Sequence, residues 1–468
     1  MRGEPGPRPL SAALGLTLAS ALVWGLAHLR AGRRTAGLAL LSAYASLVAS
    51  VTAAATVLRP EALALLVRPD RLAGLAVAAT MTGLAWAVVI VASYRLLRPP
   101  APGGVRGALA RSAVGLMCAA VLLPSFYAAR LAYVGREVVT TVFAERGAAT
   151  AVDPWQDRYR VNILLLGADA ASGRPGARTD SMSVAAVDTR TGRTVLFGLP
   201  RNLQHVPMPG GPARRMFPFG FAGDGTPGHP GLLNEVYQWG EDHPAAVPGV
   251  PAGRRGPELL KRTIGGILGL PVDYYAMVDM KGFARIIDAT GGVTVTVKHD
   301  IPYGLQGGVL RAGTRRLTGA QALWFGRSRS DGDDYVRMGR QRCLLDAVAR
   351  QADPLTVIRS FDRLADAAKH YISTDIPQES LPAFITLSRK IKDARLESVQ
   401  FVPPLIDTAA PDWQLIKEKV SATTGVPLPE DTGARRKDDQ ATAGARASGS
   451  PSGTPTRAER PSPDASCN

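Results

Sequence analysis

The chain has 468 residues and a formal net charge of +16, and 46% of its residues are hydrophobic. The positive charge is mostly arginine, spread along the chain without a run of five or six basic residues. This argues against a nucleic-acid partner and fits an anionic polymer or lipid. Three cysteines and six histidines without metal-ligand spacing argue against a zinc enzyme and a disulfide scaffold.

Four apolar stretches open the chain, at 10–29, 36–57, 72–94 and 112–129, and none contains Asp, Glu, Lys or Arg. Each has about 18 to 23 residues, the length that a helix needs to cross a hydrocarbon core of about 30 Å. We therefore predict a membrane region over 1–134 with four transmembrane helices, the fourth kinked at Pro124. A cleaved secretory signal is the alternative for the first stretch, because Arg2 and Arg8 precede it.

The arginines between these stretches predict which side of the membrane the rest of the chain occupies. Seven arginines follow the first and third stretches, against five at the N-terminus and in the second loop. Basic loops stay in the cytoplasm. This bias predicts a multi-pass membrane protein whose residues 135–468 are extracytoplasmic.

A polar connector over 135–159 precedes one α/β domain, predicted over 160–423. Strands are predicted at 161–166, 182–187 and 293–297, where short apolar or β-branched runs end at turns, and at 194–199. Helices are predicted at 257–269, 283–289, from 318 onward and at 337–351. The tail, 424–468, is rich in Ser, Pro, Gly, Ala and Thr and is predicted to be disordered.

Charged side chains follow the predicted strands of this domain. Asp169 comes just after the first strand, and Asp180 comes just before the second. Two carboxylates on adjacent loops could hold Mg²⁺, which prefers one or two carboxylates plus phosphate oxygens. Arg178 lies two residues before Asp180, on the same face of an extended segment, and Arg201 follows the third strand.

A second basic cluster follows about 125 residues later, with Arg327 and Arg329 two residues apart, and Arg337 and Gln341 four apart on one helical face. Guanidinium groups bind phosphate oxygens through parallel donors, so converging arginines would recognise a pyrophosphate. The alternative is that these arginines form surface ion pairs with Asp331, Asp333 and Asp334.

Several dispersed motifs over about 160–350 resemble the LytR-CpsA-Psr family, in the same order. They are the segments 162–169, 178–182 and 199–201, then Leu233-Asn234 with Tyr237, the segments 272–275 and 291–293, then 317–323 with 327–329 and Arg340-Gln341. The resemblance implies an α/β/α domain with a mixed central sheet. It also implies an extracytoplasmic enzyme of Gram-positive and related bacteria, a glycopolymer–peptidoglycan phosphotransferase that could also act as a pyrophosphatase.

The resemblance also implies the substrates and the roles of the site residues. A teichoic-acid-like, capsular or other wall polymer would move from a polyprenyl-pyrophosphate carrier to peptidoglycan. Asp169 and Asp180 would hold Mg²⁺ or Mn²⁺, and both would be catalytic together with Arg178 and Arg201. The residues implied to bind the pyrophosphate are Arg178, Arg201, Arg327, Arg329, Arg337 and Gln341, while the polyprenyl tail would lie in an apolar pocket.

The sequence departs from the family pattern at several places. Asn202 stands where the family usually has Asp, and Leu232 and Glu235 flank Asn234 in place of the usual Lys and His. A Gly- and Pro-rich loop over 207–231 is predicted to lie over the site, and the family's common form has one membrane span. These departures keep two alternatives open: a non-catalytic polyprenyl-phosphate-binding scaffold, and a transcriptional regulator, which would need a cytoplasmic basic domain.

Overall fold

The computed structural model describes residues 10–56, 67–98, 104–144, 155, 158–169, 178–225, 229–304, 307–329, 334–351, 356, 359–394 and 396–427. Contacts between Cα atoms divide the chain into two compact units. A helical unit comprises Met1–Val152 with Pro377–Thr386, and an α/β unit comprises Asp153–Ile376 with Leu387–Asn468. The predicted disordered tail lies almost wholly outside the described residues, of which the last is 427.

Within the described residues, the helical unit has five helices that precede the α/β unit in the chain. Three helices are long and apolar enough to cross a membrane, by length and composition: Arg34–Ala54, Pro69–Leu97 and Gly104–Val142. The last of them joins the predicted fourth span to the first part of the predicted connector, and it continues through Pro124. The helices are α1 Leu10–Leu22, α2 Leu26–Arg30, α3 Arg34–Thr56, α4 Pro69–Leu97 and α5 Gly104–Val142.

The predicted first span, 10–29, is wrong as a single transmembrane helix. It is interrupted between α1 and α2, and α1 has 13 residues. A helix of that length is about 20 Å long, short of a hydrocarbon core. Gly25 lies at the break with φ of 93°, and a Cβ there would lie 2.3 Å from the carbonyl oxygen of Gly37. The glycine therefore permits both the turn and the close approach of α3.

A six-stranded mixed sheet forms the centre of the α/β unit, in the order β10-β3-β2-β1-β4-β9. β1 pairs with β2 antiparallel and with β4 parallel, and β3 pairs with β10 parallel. The carboxyl ends of β1, β3, β4 and β10 and the start of β2 consequently meet at one edge. The strands are β1 Arg160–Asp169, β2 Arg178–Asp188, β3 Thr194–Leu199, β4 Tyr274–Asp279, β9 Ile372–Thr374 and β10 Leu396–Gln400.

Alternation along the strands gives the sheet two different faces. Leu164, Val184 and Phe197 are completely buried on one face. That face packs on α8 Arg255–Leu268 and α14 Trp413–Thr424 through residues such as Ile264 and Ile416. The opposite face of the sheet lies against α11 Asp334–Gln351. Helices therefore cover both faces, and the expected α/β/α arrangement with a mixed sheet is confirmed.

A second apolar cluster lies around two small sheets, β5 with β8 and β6 with β7. Val293, Val295 and Val297 alternate into this cluster from β5, as their β-branched pattern predicted. Its strands are β5 Val293–Val297, β6 Ile301–Tyr303, β7 Gly308–Leu310 and β8 Gly313–Leu317. The remaining α-helices in the part of the chain that the structure describes are α6 Pro212–Met216, α7 Val236–Asp242, α9 Met280–Ala289, α10 Gly319–Arg327, α12 Phe361–Tyr371 and α13 Leu381–Asp393.

Candidate anion and metal site

The two candidate metal-binding carboxylates lie at the same end of the β1–β2 pair. Asp169 ends β1 and pairs with Arg178, and the register then shifts so that Asp180 has no partner residue on β1. A residue left over in this way forms a β-bulge, which redirects side chains at the end of a ladder. Arg178 is described by its backbone alone, and the connection 170–177 is outside the described residues.

Arg201 lies beside Asp180 because β3 ends at the same sheet edge. Pro200 cannot donate a ladder hydrogen bond, so β3 stops at Leu199 and the chain turns. Arg201 Nη1 donates to Asp180 Oδ1 at 2.5 Å, and the two side chains are 23% and 19% exposed. A half-buried ion pair of this kind holds both groups in fixed positions at the mouth of a cleft.

The second arginine cluster reaches the same edge from α10 and the segment after it. α10 begins with a capping box between Thr318 and Gln321, as its Thr-x-x-Gln pattern favours. At the end of that helix Arg327 Nη2 lies 3.4 Å from Asp169 Oδ2. Arg329 is exposed, and the residues 330–333, which include Asp331 and Asp333, lie outside the described part of the chain.

Helix α11 brings a buried guanidinium to the bulge. Arg337 is 4% exposed, and its Nη2 lies 3.4 Å from the carbonyl oxygen of Asp180. Gln341, one turn later, donates through Nε2 to the carbonyl oxygen of Gly326 at 3.0 Å. Arg340 donates to the carbonyl oxygen of Ser328 at 2.7 Å, so α11 is fixed against the end of α10 by two side chains.

A narrow cleft lies between the second face of the sheet and α11, and its cavity volume for water-sized molecules is about 10 Å³. One group of its lining residues is polar: Asp180, Arg201, Arg337, Gln341 and Arg342. Leu196, Met338 and Leu345 provide apolar side chains, while Met182 and Leu199 border the cleft from strands that direct their side chains into the core on the other face. Ser181 and Ser183 also line it, and short side chains under a helix leave space that larger residues would fill. The cleft therefore combines groups that bind anions with apolar side chains.

The charge of the cleft is predominantly positive. Arg342 is half-buried, and burial lowers its pKa while Asp346 partly offsets this effect. A guanidinium nevertheless stays protonated at neutral pH. The charged residues that line the cleft are therefore three arginines and one carboxylate: Arg201, Arg337 and Arg342 against Asp180.

The donor set fits a magnesium ion that is completed by a substrate. Within the described residues no group of three or more His, Cys, Asp and Glu side chains could hold a metal ion. Asp169 and Asp180 provide two carboxylates at neighbouring positions of one strand pair. Mg²⁺ is commonly bound by one or two carboxylates together with waters and phosphate oxygens, so a two-carboxylate site suits it better than a metal with a full protein cage.

The motif residue Asp273 lies at the opposite edge of the sheet, where it organises the start of β4. Its Oδ2 accepts from the backbone N–H of Asn162 at 2.8 Å, and its Oδ1 lies 2.8 Å from Arg158 Nη1. Lys261 Nζ contacts the carbonyl oxygen of Asp273 and Oδ2 of Asp375, at 3.3 and 2.5 Å. Burial raises the pKa of Asp273, while the Asn162 N–H, Arg158 and Lys261 act in the opposite direction. This network stabilises the start of β4, and the cleft lies at the other end of the strands.

This raised pKa predicts how Asp273→Asn changes the pH dependence of stability. A carboxyl whose pKa is higher in the folded state binds a proton more tightly there, so its contribution to stability is lost as pH rises through that pKa. We expect the stability of wild type relative to Asp273→Asn to fall as pH increases above the ordinary Asp range. Thermal unfolding of both full-length chains in one detergent across this range measures the difference. A constant difference would contradict the prediction.

Local contacts hold the departing residue Asn202 and the motif residue Asn234. Asn202 Nδ2 lies 3.3 Å from Thr408 Oγ1, which is also 3.3 Å from the hydroxyl of Tyr335. Asn234 is 8% exposed, and its backbone N–H donates to the carbonyl oxygen of Arg201 at 3.1 Å. Asn202 therefore joins the turn after β3 to a segment that follows β10.

Sequence reasoning missed the residues that shape the cleft. Met182, Ser183 and Gln400 line the cleft from β2 and β10. Their signal was weak, because an alternating strand does not reveal which face a distant helix covers.

Comparisons with known proteins agree with the motif pattern. The profile of the LytR_cpsA_psr family matches residues 134–415, more than half of the chain. "Biofilm regulatory protein A" of Streptococcus mutans is 25% identical over 59% of this chain and 65% of its own length. "Polyisoprenyl-teichoic acid--peptidoglycan teichoic acid transferase TagU" of Oceanobacillus iheyensis is 29% identical over 50% and 64%. The chain thus spans less than two thirds of these relatives.

Among solved structures, Bacillus subtilis TagT is 21% identical to this chain. The match covers 61% of this chain and 100% of that one, with a TM-score of 0.40.

Proposed function

Because this chain belongs to the LytR-CpsA-Psr family, we propose that it is a membrane-anchored phosphotransferase that moves a wall glycopolymer from a polyprenyl-pyrophosphate carrier to peptidoglycan. A teichoic-acid-like, capsular or other secondary wall polymer is the proposed donor group. The printed activity of the Oceanobacillus iheyensis relative, transfer of teichoic acid to peptidoglycan, supports the reaction class.

The observation that carries the proposal is the composition of the cleft. Arg201 and Arg337 lie at Asp180, while Leu196 and Met338 belong to an apolar wall of the same cleft. A polyprenyl pyrophosphate combines these two characters, since an anionic diphosphate is joined to a long hydrocarbon. A ligand with only one of them would leave either the arginines or the apolar wall without a counterpart.

The proposed reaction is a phosphoryl transfer in which the residues of the chain mainly position and neutralise charge. A hydroxyl of peptidoglycan forms a bond to the sugar-proximal phosphorus, the anhydride P–O bond breaks, and polyprenyl phosphate leaves. Arg201 and Arg337 hold phosphate oxygens and balance the charge that grows on the leaving group. We assign the same binding role to Arg178, Arg327 and Arg329, with Gln341 assisting.

Asp169 and Asp180 would hold the divalent cation, Mg²⁺ or Mn²⁺. When bound, such an ion supplies positive charge to phosphate oxygens and orients them. Asp169 pairs with Arg327, and Asp180 pairs with Arg201. These ion pairs are compatible with metal binding, because they place each arginine close to a diphosphate that the cation would hold.

We also propose a multi-pass membrane location with the α/β unit outside the cytoplasm. Three helices have the length and composition of membrane spans. The arginine bias of the loops favours an extracytoplasmic domain. In that compartment the domain would meet both proposed substrates, the lipid-linked polymer and peptidoglycan.

The second candidate is a scaffold that binds polyprenyl phosphate without turnover, and Asn202 motivates it. The amide is used to contact Thr408. If the missing carboxylate has abolished catalysis, wild type would bind the lipid without product, and Asn202→Asp would restore transfer. A transcriptional regulator would need a cytoplasmic domain; a reporter fused after residue 430 that is active only in the cytoplasm would favour it.

The test is transfer by the full-length chain in detergent, given a polyprenyl-pyrophosphate-linked saccharide and a peptidoglycan oligomer. We expect product with Mg²⁺ and none after chelation with EDTA, with activity restored by added Mg²⁺ or Mn²⁺. Released polyprenyl phosphate is measured in parallel, with and without acceptor, to detect pyrophosphatase activity. Bound lipid with no product under any of these conditions would favour the scaffold.

A further inference from the structure

The Gly- and Pro-rich loop after Arg201 begins and ends at that arginine. The backbone N–H of Asn234 donates to the carbonyl oxygen of Arg201 at 3.1 Å, and that of Leu233 donates to Leu203 at 3.0 Å. Phe221 N–H donates to the carbonyl oxygen of Val206 at 2.8 Å, which closes an inner turn. The loop is therefore an excursion whose base is a residue of the cleft.

The tip of this excursion exposes apolar side chains beside two arginines. Phe219 is 94% exposed and Met216 is 45% exposed, and Phe219 has the highest value among the large hydrophobic residues that the structure describes. Arg214 and Arg215 are exposed next to them. Residues 206–223 contain these two basic residues and no acidic one. An exposed phenylalanine of this kind is unfavourable in water.

Packed aromatic side chains hold the tip in place, so Phe219 is exposed on an ordered turn. The ring of Phe217 lies 5.1 Å from those of both Phe221 and Trp239, with edge-to-face geometry. Gly220 has φ of 107°, and a Cβ there would lie 2.5 Å from the carbonyl oxygen of His205. The turn therefore requires glycine. Phe217 and Phe221 pack inward, while Phe219 between them points outward.

We propose that this tip, residues 212–219, inserts into the headgroup region of an anionic lipid bilayer. Aromatic and aliphatic side chains enter the interface, while arginine heads remain at the level of the phosphates. Anionic lipids attract Arg214 and Arg215, and the absence of acidic residues from 206–223 removes a source of repulsion. A bilayer is the one partner of this chemistry that a chain with three candidate spans always has beside it.

Insertion would give Arg201 a defined depth at the membrane. The tip is connected to Arg201 by the closed loop, and Arg201 faces Asp180 in the cleft. This proposal does not depend on the transferase reaction, because lipid insertion of the tip is measured without any substrate.

The test uses the full-length chain in vesicles of phosphatidylglycerol and phosphatidylcholine, with p-benzoylphenylalanine in place of Phe219. The matched control carries the same photoreactive residue in place of Lys419, an exposed position on α14. After irradiation, mass spectrometry identifies what each position has captured. We expect lipid adducts at 219, at the upper acyl chain about 5–10 Å below the surface, and none at 419.

The charge requirement is tested in the same assay. The double variant Arg214→Glu with Arg215→Glu, or vesicles of phosphatidylcholine alone, should lower the yield of lipid adducts at 219 several-fold. An unchanged yield would overturn the assignment to an anionic surface. Insertion itself would be overturned if position 219 captured a second copy of the chain or no molecule. Equal capture of lipid at 219 and 419 would also overturn it.

Discussion

Asp180→Asn is expected to reduce Mg²⁺-dependent transfer by about 10²–10³-fold, the loss typical of removing one group that stabilises transition-state charge. Asn has the same shape as Asp, so the bulge and the β1–β2 register should persist. The variant loses the negative charge that pairs with Arg201 at 2.5 Å and one of the two carboxylates available to a metal. Initial rates at saturating lipid substrate, as a function of Mg²⁺ concentration, measure the effect.

Asp188→Asn is the matched control, since Asp188 ends the same strand at the opposite edge of the sheet. Its carboxylate caps the β2–β3 turn by accepting from Arg190 and Thr191, and an amide oxygen can accept the same bonds. We expect near wild-type transfer from this control. Wild-type transfer from Asp180→Asn, with an unchanged Mg²⁺ requirement, would remove Asp180 from the proposed metal site.

Arg337→Met is expected to weaken binding of polyprenyl pyrophosphate by about 10–100-fold, because a charged hydrogen bond to phosphate contributes about 1.5–3 kcal/mol. Methionine fills much of the volume of this 4% exposed side chain without its charge. Arg337→Lys should recover only part of the affinity, since an ammonium lacks the planar pair of donors that matches a phosphate. Isothermal titration of the full-length chain in detergent gives the Kd values.

Arg350→Met on the same helix is the control for this series. Arg350 is exposed and pairs with Asp346 one turn earlier, so its loss should leave the Kd unchanged. Circular dichroism and thermal unfolding separate a folding defect from a binding defect. Equal Kd values for Arg337→Met and Arg350→Met, with both variants folded, would exclude Arg337 from the proposed diphosphate site.

Local patterns were sufficient for the elements whose signals lie within a few residues. Three of the four apolar stretches predicted as spans are long helices, and the β-branched run predicted β5 at its observed bounds. The helix predicted from residue 318 onward is α10, which begins with the capping box of Thr318 and Gln321. The positions of Asp169 and Arg201 followed from the ends of two strands that meet at one edge of the sheet, although their roles stay predictions.

Other features depended on residues far apart in the sequence. The break in the first apolar stretch depends on Gly25 meeting Gly37 of another helix. β4, β9 and β10 were not predicted, because each is short and completes a sheet whose other strands lie up to about 200 residues away. The bulge at Asp180 is a property of register between two strands, which neither strand determines alone.

The sequence by itself determined three long apolar helices, the α/β class and the carboxylates and arginines available to a site, because hydrophobic periodicity and strand ends are local. Only the tertiary structure decided that Arg337 is buried at the bulge, and that Ser181 and Ser183 leave a cleft beneath α11. A cleft is the space left when a helix packs on a sheet, so its shape depends on side chains from separate elements and not on any one segment.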